Sequence, residues 1–416
     1  MHKIEEKEEK LILLAVATNE DDDTEESLDE LQELVYTAGG VTVGRLFQNR
    51  SKIHPRTYIG KGKIEEVKDL IFETDATGVV CDDELSPSQM RNISDALDVK
   101  VMDRTVLILD IFAGRATTKE GKIQVELAQL KHRLTHLVGM RNSLSKLGGG
   151  IGTRGPGEMK LETDRRLIRD RISMLGRELD QVKLSRETMR ESRKKSLIPV
   201  IAIVGYTNAG KSTLLNKLTD ANVLEEDKLF ATLDPTTRNL VLPSGQQVLL
   251  TDTVGFIRKL PHNLIEAFRS TLEEAKYSDI ILHVVDSSNA NSYKQMHIVY
   301  ETLKNLNVTE KPIITVFNKD DLRDKDITLK DIQAEHTLKI SAKKGTGIEK
   351  LLETFENILR NEKVYIKKIF PFEQAGLIQE IRKYGELILE EYKTDGILVK
   401  AYLPKDLYKK IEKQLI

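Results

Sequence analysis

The sequence contains a single cysteine, Cys81, and no tryptophan, and aromatic residues make up only 5% of the chain. One cysteine allows neither a disulfide framework nor a zinc cluster within one chain, and it fits the reducing cytosol. No long apolar run lies near the start, because Leu11 to Ala17 is too short to span a bilayer and follows a leader rich in Glu and Lys. We therefore expect a cytoplasmic chain without a membrane span, with Leu11 to Ala17 as its first β-strand.

Net charge is also nearly absent, since 64 Lys and Arg balance 66 Asp and Glu to give −2. This balance hides a segregation of charge along the chain. Residues 1–30 carry twelve acidic residues and three lysines, whereas residues 131–196 carry seventeen Lys and Arg against eight Asp and Glu. A local positive excess of that size can attract phosphate backbones.

The length of 416 residues exceeds what one compact domain normally holds, so several domains are expected. Short apolar runs alternate with helical patterns in two regions, which indicates the α/β class with a mainly parallel sheet in the second region. The predicted parts are an N-terminal α/β domain (1–120), a helical hairpin (121–196), a second α/β domain (197–363) and a small α+β domain (364–416).

The hairpin is predicted from apolar residues that recur at intervals of three, four and seven, the pattern of an amphipathic helix. The first series is Ile123, Leu127, Leu130, Leu134 and Leu137, extended by Leu144 and Leu147; the second is Leu161, Ile168, Ile172, Leu175, Leu179, Val182 and Met189. Two helices with one apolar stripe each can bury those stripes against each other as an antiparallel pair.

Between the two series, six of the ten residues from Gly148 to Gly157 are glycine. Because glycine destabilises a helix interior, we expect the helix to be interrupted there. The segment is either a flexible connector or a tip that approaches a phosphate backbone closely. The second alternative is favoured because the loop is longer than a helical hairpin needs. Basic residues also flank or occupy it, namely Arg141, Lys146, Arg154, Lys160, Arg165 and Arg166.

A phosphate-binding loop is predicted where an apolar strand, Ile198 to Val204, runs into the pattern G-x-x-x-x-G-K-[ST] and then a helix. Its residues are Gly205, Tyr206, Thr207, Asn208, Ala209, Gly210, Lys211 and Ser212. Backbone N–H groups of such a loop wrap the phosphates, Lys211 stabilises charge on the terminal phosphates in the transition state, and the Ser212 hydroxyl binds Mg²⁺.

A second phosphate-side motif, D-x-x-G, follows the strand Gln247 to Leu250. It consists of Asp252, Thr253, Val254 and Gly255. The Asp252 carboxylate would lie near Mg²⁺, through water, and the Gly255 N–H could contact the γ-phosphate. A D-x-x-G sequence by itself is common. Here it gains weight because it lies at the end of the next clearly apolar strand after the phosphate-binding loop, and open α/β sheets bind their ligands at such strand ends.

The base is predicted to be guanine, because an N-K-x-D motif ends the strand Ile313 to Phe317. The motif is Asn318, Lys319, Asp320 and Asp321, and a later loop contributes Ser341, Ala342 and Lys343. The Asp321 carboxylate can accept from guanine N1–H and N2–H₂ together, which adenine does not offer. The Ala342 N–H could meet guanine O6. GTP and GDP are therefore the expected ligands.

Between the phosphate motifs lies a polar stretch suited to a mobile switch that supplies a threonine to Mg²⁺. Its candidate nucleotide-side residues are Phe230, Ala231, Thr232, Leu233 and Asp234. Thr232 and Thr236 are alternative metal ligands, and Thr232 is preferred because it lies within the Phe-Ala-Thr-Leu-Asp string.

Phe256 directly follows Gly255, where many signalling GTPases carry a glutamine that orients water. Because phenylalanine cannot do so, hydrolysis should be slow until another loop, a partner or a monovalent cation supplies the missing group. Asn208 is either a ligand for K⁺ or a residue that stabilises its own loop.

With these motifs in place, nearly the whole chain resembles the HflX family of ribosome-associated GTPases. The marks are Gly148 to Arg166, Phe230 to Thr236, Asp252 to Ile257 and Tyr58 to Lys63. The resemblance implies a monomer that binds the large ribosomal subunit, reaches 23S rRNA with the hairpin loop, and splits or rescues stalled ribosomes under stress. The region after residue 363 is the least diagnostic part.

Two other functions remain open at this point. A GTPase of RNA modification or ribosome assembly could carry the same motifs, with the hairpin as a dimerisation arm. An independent nucleotide-hydrolysing N-terminal domain is disfavoured, because no second G-x-x-x-x-G-K-[ST] occurs in the sequence.

Overall fold

The computed structural model describes residues 8–18, 23–139, 156–194, 197–219, 229–231, 233–261, 274–308, 311–323, 329–361 and 363–414. The chain divides into two compact units. The first comprises Met1–Val182, Lys228–Phe230 and Arg258–Phe268, and the second comprises Lys183–Asp227, Ala231–Ile257 and Arg269–Ile416. The four domains expected from the sequence, with their boundaries, remain a prediction.

A four-stranded parallel sheet forms the centre of the first unit, in the order β2-β1-β3-β4. Its strands are β1 (Lys10–Ala17), β2 (Val41–Asn49), β3 (Gly78–Cys81) and β4 (Lys100–Asp103). Seven consecutive residues of β1 are buried, as expected of a central parallel strand with both faces covered. The predicted first strand is confirmed, and Cys81 lies buried in β3 as expected.

Four helices of this unit are α1 (Thr24–Thr37), α2 (Lys61–Thr74), α3 (Pro87–Leu97) and α4 (Arg104–Arg115). The start of α3 shows why the chain turns helical there. The Ser86 side chain accepts a hydrogen bond from the Gln89 N–H, the Gln89 side chain accepts one from the Ser86 N–H, and Pro87 occupies the first turn. The core between sheet and helices includes Ile12, Leu14 and Ile93.

The helical hairpin consists of α5 (Lys119–Gly139) and α6 (Pro156–Lys194). The predicted apolar stripes meet in one cluster of Ile123, Leu127, Leu130, Ile172, Leu175 and Leu179. The pairing is antiparallel, because Arg171 Nε lies 2.7 Å from Glu126 while the earlier Arg165 donates to the carbonyl of the later Leu137.

The glycine-rich segment is shorter than predicted, because α6 begins at Pro156 and includes Gly157. Proline suits the first helical turn, where its missing N–H has no partner to lose. Residues 148–155, together with the predicted extension through Leu144 and Leu147, lie outside the described residues.

A six-stranded sheet dominates the second unit, in the order β10-β9-β8-β5-β7-β6, and only β6 runs antiparallel to its neighbour. The strands are β5 (Val200–Gly205), β6 (Thr236–Val241), β7 (Gln247–Asp252), β8 (Ile280–Asp286), β9 (Ile313–Asn318) and β10 (His336–Lys339). The helices are α7 (Lys211–Thr219), α8 (Glu274–Tyr277), α9 (Ser292–Asn305) and α10 (Ile348–Asn361). Chain order and sheet order bring the carboxyl ends of β5, β7, β8 and β9 to one edge.

The C-terminal part of this unit is an antiparallel sheet in the order β11-β13-β12 with two helices. Its elements are β11 (Val364–Phe370), α11 (Ala375–Tyr384), β12 (Glu386–Lys393), β13 (Gly396–Leu403) and α12 (Lys405–Gln414). The predicted fold class is confirmed. A search of the described residues finds no helix with the length and apolarity to cross a membrane.

Candidate nucleotide-binding site

The phosphate loop lies between β5 and α7, as the sequence predicts. Two of its glycines are required by close approach of neighbouring groups. A Cβ at Gly205 would lie 2.2 Å from the Val284 carbonyl oxygen, and one at Gly210, whose φ is +89°, would lie 2.3 Å from Asn318 Nδ2. The loop leads into the N-terminus of α7, whose free N–H groups and positive dipole end suit an anion.

Lys211 is buried beneath this loop, with 7% of its surface exposed. Its Nζ donates to the carbonyl oxygens of Gly205, at 3.2 Å, and Tyr206, at 2.8 Å. Burial lowers the pKa of Lys211 to about 8, against a smaller opposing effect of Asp252. An anion bound in the loop would strengthen the charged form of this side chain.

Ser212 and Asp252 converge beside the loop, where the Ser212 hydroxyl donates to Asp252 Oδ2 at 3.0 Å. A hydroxyl and a carboxylate oxygen are the donor types that Mg²⁺ prefers, so these residues fit the predicted metal site. Thr232 lies outside the described residues, whereas Thr236 begins β6 opposite Asp252. The choice between the two threonines therefore remains open.

The D-x-x-G turn is joined to the phosphate loop by two backbone hydrogen bonds. Phe256 N–H donates to the Gly205 oxygen at 3.1 Å, and Thr207 N–H donates to the Phe256 oxygen at 2.8 Å. A Cβ at Gly255 would lie 2.8 Å from Thr207 Cγ2 and 3.0 Å from Lys211 Nζ. The turn thus lies against the groups that would hold a terminal phosphate.

Three residues of this turn have buried side chains with structural contacts. The Thr253 hydroxyl donates to the Ile203 oxygen at 2.8 Å, while Val254 and Phe256 are apolar and 5% and 2% exposed. The side chain of Phe256 has no polar atom, so it cannot orient a water molecule by hydrogen bonding.

Asn318 connects the phosphate loop to the predicted base loop. Its Nδ2 donates to the Ala209 oxygen at 2.9 Å, and its Oδ1 accepts from the Ala342 N–H at 2.9 Å. Asn318 ends β9, which lies between β8 and β10 in the sheet. One amide side chain therefore holds two segments distant in sequence at a fixed separation.

A cavity of about 390 Å³ opens beside Asn318. The residues that line it and that the sequence predicts are Asn208, Gly210, Asn318, Lys319, Asp321, Ser341, Ala342 and Lys343. A hydrogen bond from Ser341, assisted by Lys344, lowers the pKa of Asp321, so its carboxylate is ionised and can accept hydrogen bonds. Asn208 has a φ of +60° in the cavity wall, which leaves both of its predicted roles open.

Two residues of the N-K-x-D motif make other side-chain contacts. Asp320 Oδ1 accepts from Arg323 Nε at 2.7 Å, and Lys319 Nζ lies 2.7 Å from Asp286 Oδ2. The sequence interpretation missed Asp286, although its position at the end of β8 could have revealed it. It also missed Thr213 and Leu322 in the cavity wall.

The predicted switch is only partly covered by the structure. Ala231, Leu233 and Asp234 belong to the second unit, and Leu233 is buried. Phe230 belongs to the first unit, where its ring meets that of Phe112 edge-on with centroids 4.7 Å apart. A role in nucleotide binding remains a prediction for all of them.

Strand order, phosphate loop, D-x-x-G turn and guanine-type loop together define a P-loop GTPase. Family models match residues 25–113 as a GTP-binding GTPase N-terminal region, residues 115–193 as its middle region, and residues 200–319 as a 50S ribosome-binding GTPase. The chain is 65% identical to GTPase HflX of Lacrimispora saccharolytica, over 98% of this chain and 96% of that one. It is 39% identical to GTPase HflX of Escherichia coli, over 93% and 92%.

The chain belongs to the GTPase HflX family, whose members bind and hydrolyse GTP. Among solved structures, it is similar to a complex of SsGBP with GDP, at 28% identity and a TM-score of 0.49, over 84% of this chain and 98% of that one.

The buried Lys211 predicts that nucleotide binding takes up a proton. Its pKa is about 8 in the free protein, and the phosphates raise it by favouring the ammonium form. At pH 8 about half a proton should enter per GDP bound, and the affinity should fall by up to about tenfold per pH unit above 8. Calorimetry in two buffers of different ionisation enthalpy measures this uptake.

The matched control is Lys211→Arg, because arginine stays protonated while the guanine base keeps its own titration. Equal proton uptake by wild type and Lys211→Arg would contradict the assignment to Lys211.

Proposed function

We propose that this GTPase, as a cytoplasmic monomer in its GTP form, binds the large ribosomal subunit, contacts 23S rRNA, and splits or rescues stalled ribosomes under stress. The observation that carries the proposal is the match of residues 200–319 to a 50S ribosome-binding GTPase within a chain that belongs to the HflX family.

The hairpin supplies the chemistry for the RNA contact. Helix α6 has 39 residues and is therefore about 58 Å long, and its apolar cluster with α5 holds the two helices together. Residues 131–196 carry nine more basic than acidic residues, a charge excess that suits a phosphate backbone. A long basic pair of helices can carry a glycine-rich tip away from the body of its domain.

For the chemistry of the nucleotide, Mg²⁺ would be held by Ser212 and a switch threonine, with Asp252 acting through water. Lys211 would stabilise charge on the γ-phosphate. Phe256 leaves the water-orienting role to a partner or to K⁺ bound near Asn208. The ribosome is the partner that would complete the site.

Cosedimentation with purified ribosomal subunits tests the proposal directly. The protein should pellet with the large subunit in a non-hydrolysable GTP analogue and much less in GDP. Binding to precursor particles or free RNA alone would instead favour the role in ribosome assembly or RNA modification.

A tip variant gives the sharper prediction. Residues 148–155 are replaced by a short polar turn that leaves Pro156, where α6 begins, in place. Ribosome binding should weaken and its log-log salt dependence become shallower, by about 0.7 to 0.9 for each phosphate that the variant no longer neutralises. GDP affinity and helical content should stay unchanged, because neither depends on the tip.

The control is Lys304→Ala, which removes one exposed cation from α9. If the tip variant binds and splits ribosomes like wild type at every salt concentration, the segment is only a connector.

A further inference from the structure

Three side chains of metal-ligand type lie together in the first unit, and none of them belongs to a nucleotide-binding motif. They are Asp103, His132 and His136, whose ligand atoms all lie within 4.8 Å of one another. Asp103 is fully buried, His132 is 8% exposed and His136 is half-buried. The known activity uses none of them.

Asp103 is held in place by backbone groups. It ends β4 and caps α4, where Oδ1 accepts from the Val106 N–H at 2.9 Å and Oδ2 accepts from the Leu85 N–H at 3.1 Å. Each carboxylate oxygen has a second lone pair, so Oδ2 can still bind another group. Oδ2 lies 3.9 Å from His132 Nε2.

The two histidines are four residues apart on α5, which places them on one face of the helix. Their ring centroids are 4.2 Å apart. His136 Nδ1 lies 3.0 Å from the His132 carbonyl oxygen. Since a carbonyl only accepts, Nδ1 must carry the hydrogen, and in the neutral ring Nε2 then has the lone pair. A metal-binding histidine is usually oriented by such a bond to a backbone carbonyl.

Both Nε2 atoms are buried and, within the described part of the chain, neither has a hydrogen-bond partner. In either neutral tautomer of His132, the Nε2 atom has no hydrogen-bond partner among the described residues. With a hydrogen on Nε2, 3.9 Å is too long for a bond to Asp103; with a lone pair there, two acceptors face each other. A cation between the three groups satisfies all of them.

We propose that Asp103, His132 and His136 bind one divalent transition-metal ion, with Zn²⁺ as the best match. Two imidazoles and a carboxylate are a zinc donor set, whereas Mg²⁺ and Ca²⁺ prefer oxygen donors alone. Tetrahedral bonds of about 2.1 Å place ligand atoms about 3.4 Å apart, so the 3.9 Å pair must close by about half an ångström. A pair at the 4.8 Å limit must close by about 1.4 Å, and the fourth position stays open to water.

The single cysteine led to the expectation that the chain holds no zinc cluster, and a site of two imidazoles and one carboxylate departs from that expectation. A cavity of about 320 Å³ has His132 in its wall, together with Asp110, Glu126 and Arg133. The ion would tie β4 of the parallel sheet to the last two turns of α5 in the hairpin.

The test titrates Zn²⁺ into the full-length protein after treatment with a chelator, with GDP and Mg²⁺ saturating the nucleotide site. Competition with a zinc-binding dye gives stoichiometry and affinity. We expect one equivalent of Zn²⁺ bound by wild type, together with a rise in the midpoint of thermal unfolding. In Asp103→Asn and in His136→Gln, the affinity for Zn²⁺ should be at least about tenfold weaker. At the same Zn²⁺ concentration, these variants should therefore lose both the stoichiometric binding and the rise in the unfolding midpoint.

The matched control, His297→Gln, removes an exposed histidine from α9 and should bind like wild type. Co²⁺ added to the unaltered protein should give the visible absorption of a four-coordinate site, so the proposal stays testable if a variant fails to fold. Undiminished binding in either ligand variant, or no binding by wild type at micromolar Zn²⁺, would overturn the proposal.

Discussion

Replacement of Asp321 by asparagine is expected to weaken GDP binding roughly 100-fold and to improve binding of XDP. The ionised carboxylate in the cavity wall can accept two hydrogen bonds from guanine, each worth about 1.5 kcal/mol or more because the acceptor is charged. An amide turns one acceptor into a donor, which conflicts with guanine and pairs with the additional oxygen of xanthine. Equilibrium titrations with both diphosphates measure the change.

The matched control for this change is Glu349→Gln, which neutralises an exposed carboxylate in the first turn of α10. It should leave both affinities as in wild type. Unchanged GDP affinity in Asp321→Asn would remove Asp321 from the base site.

Gly255→Ala is expected to slow GTP hydrolysis roughly 100-fold while it spares GDP affinity. The added methyl would lie 2.8 Å from Thr207 Cγ2 and 3.0 Å from Lys211 Nζ, so the turn must move away from the loop. That shift misplaces the Gly255 N–H, which is assigned to the γ-phosphate, and loss of one such donor typically costs 10²- to 10³-fold. Single-turnover hydrolysis and GDP titrations separate the two effects.

Gly376→Ala serves as the control, since its new methyl would meet nothing within 4 Å in α11. Normal hydrolysis by Gly255→Ala would show that the turn does not need its close approach to the loop.

The nucleotide site was predictable because its motifs are continuous in sequence and end strands. Gly205, Asp252 and Asn318 each lie where an apolar run stops, and parallel strands bring those ends to one edge of the sheet. The contacts between motifs were not predictable. Nothing local indicates that the Asn318 amide spans from Ala209 to Ala342, because that depends on the packed sheet.

Two of the elements that the sequence interpretation missed, β2 and β11, lack a strong local pattern. Strand β2 is half-exposed along most of its length and contains Gly44, which weakens the strand pattern. Strand β11 was missed for a similar reason, since Lys367 and Lys368 interrupt its apolar residues. Their strand structure comes from pairing with β1 and β13, which are distant in sequence.

The histidine cluster shows a different limit. Two histidines at a spacing of four were visible in the sequence, but Asp103 belongs to a strand end 29 residues earlier. Only the packing of α5 against α3 and α4 brings the third ligand near them. A pair of histidines on a predicted helix was the one available signal.

Because Cys81 is buried, the hairpin can be labelled for spectroscopy without first removing the native cysteine. Its sulfur is fully buried, and burial, reinforced by the charges of Asp103 and Asp83, raises the pKa of the thiol well above its usual value. Since the thiolate is the reactive form, this residue should ignore maleimide dyes at neutral pH. A new cysteine at an exposed hairpin position, such as Asp180→Cys, would then accept the only fluorophore, and its anisotropy would report motion of the hairpin through each round of GTP turnover.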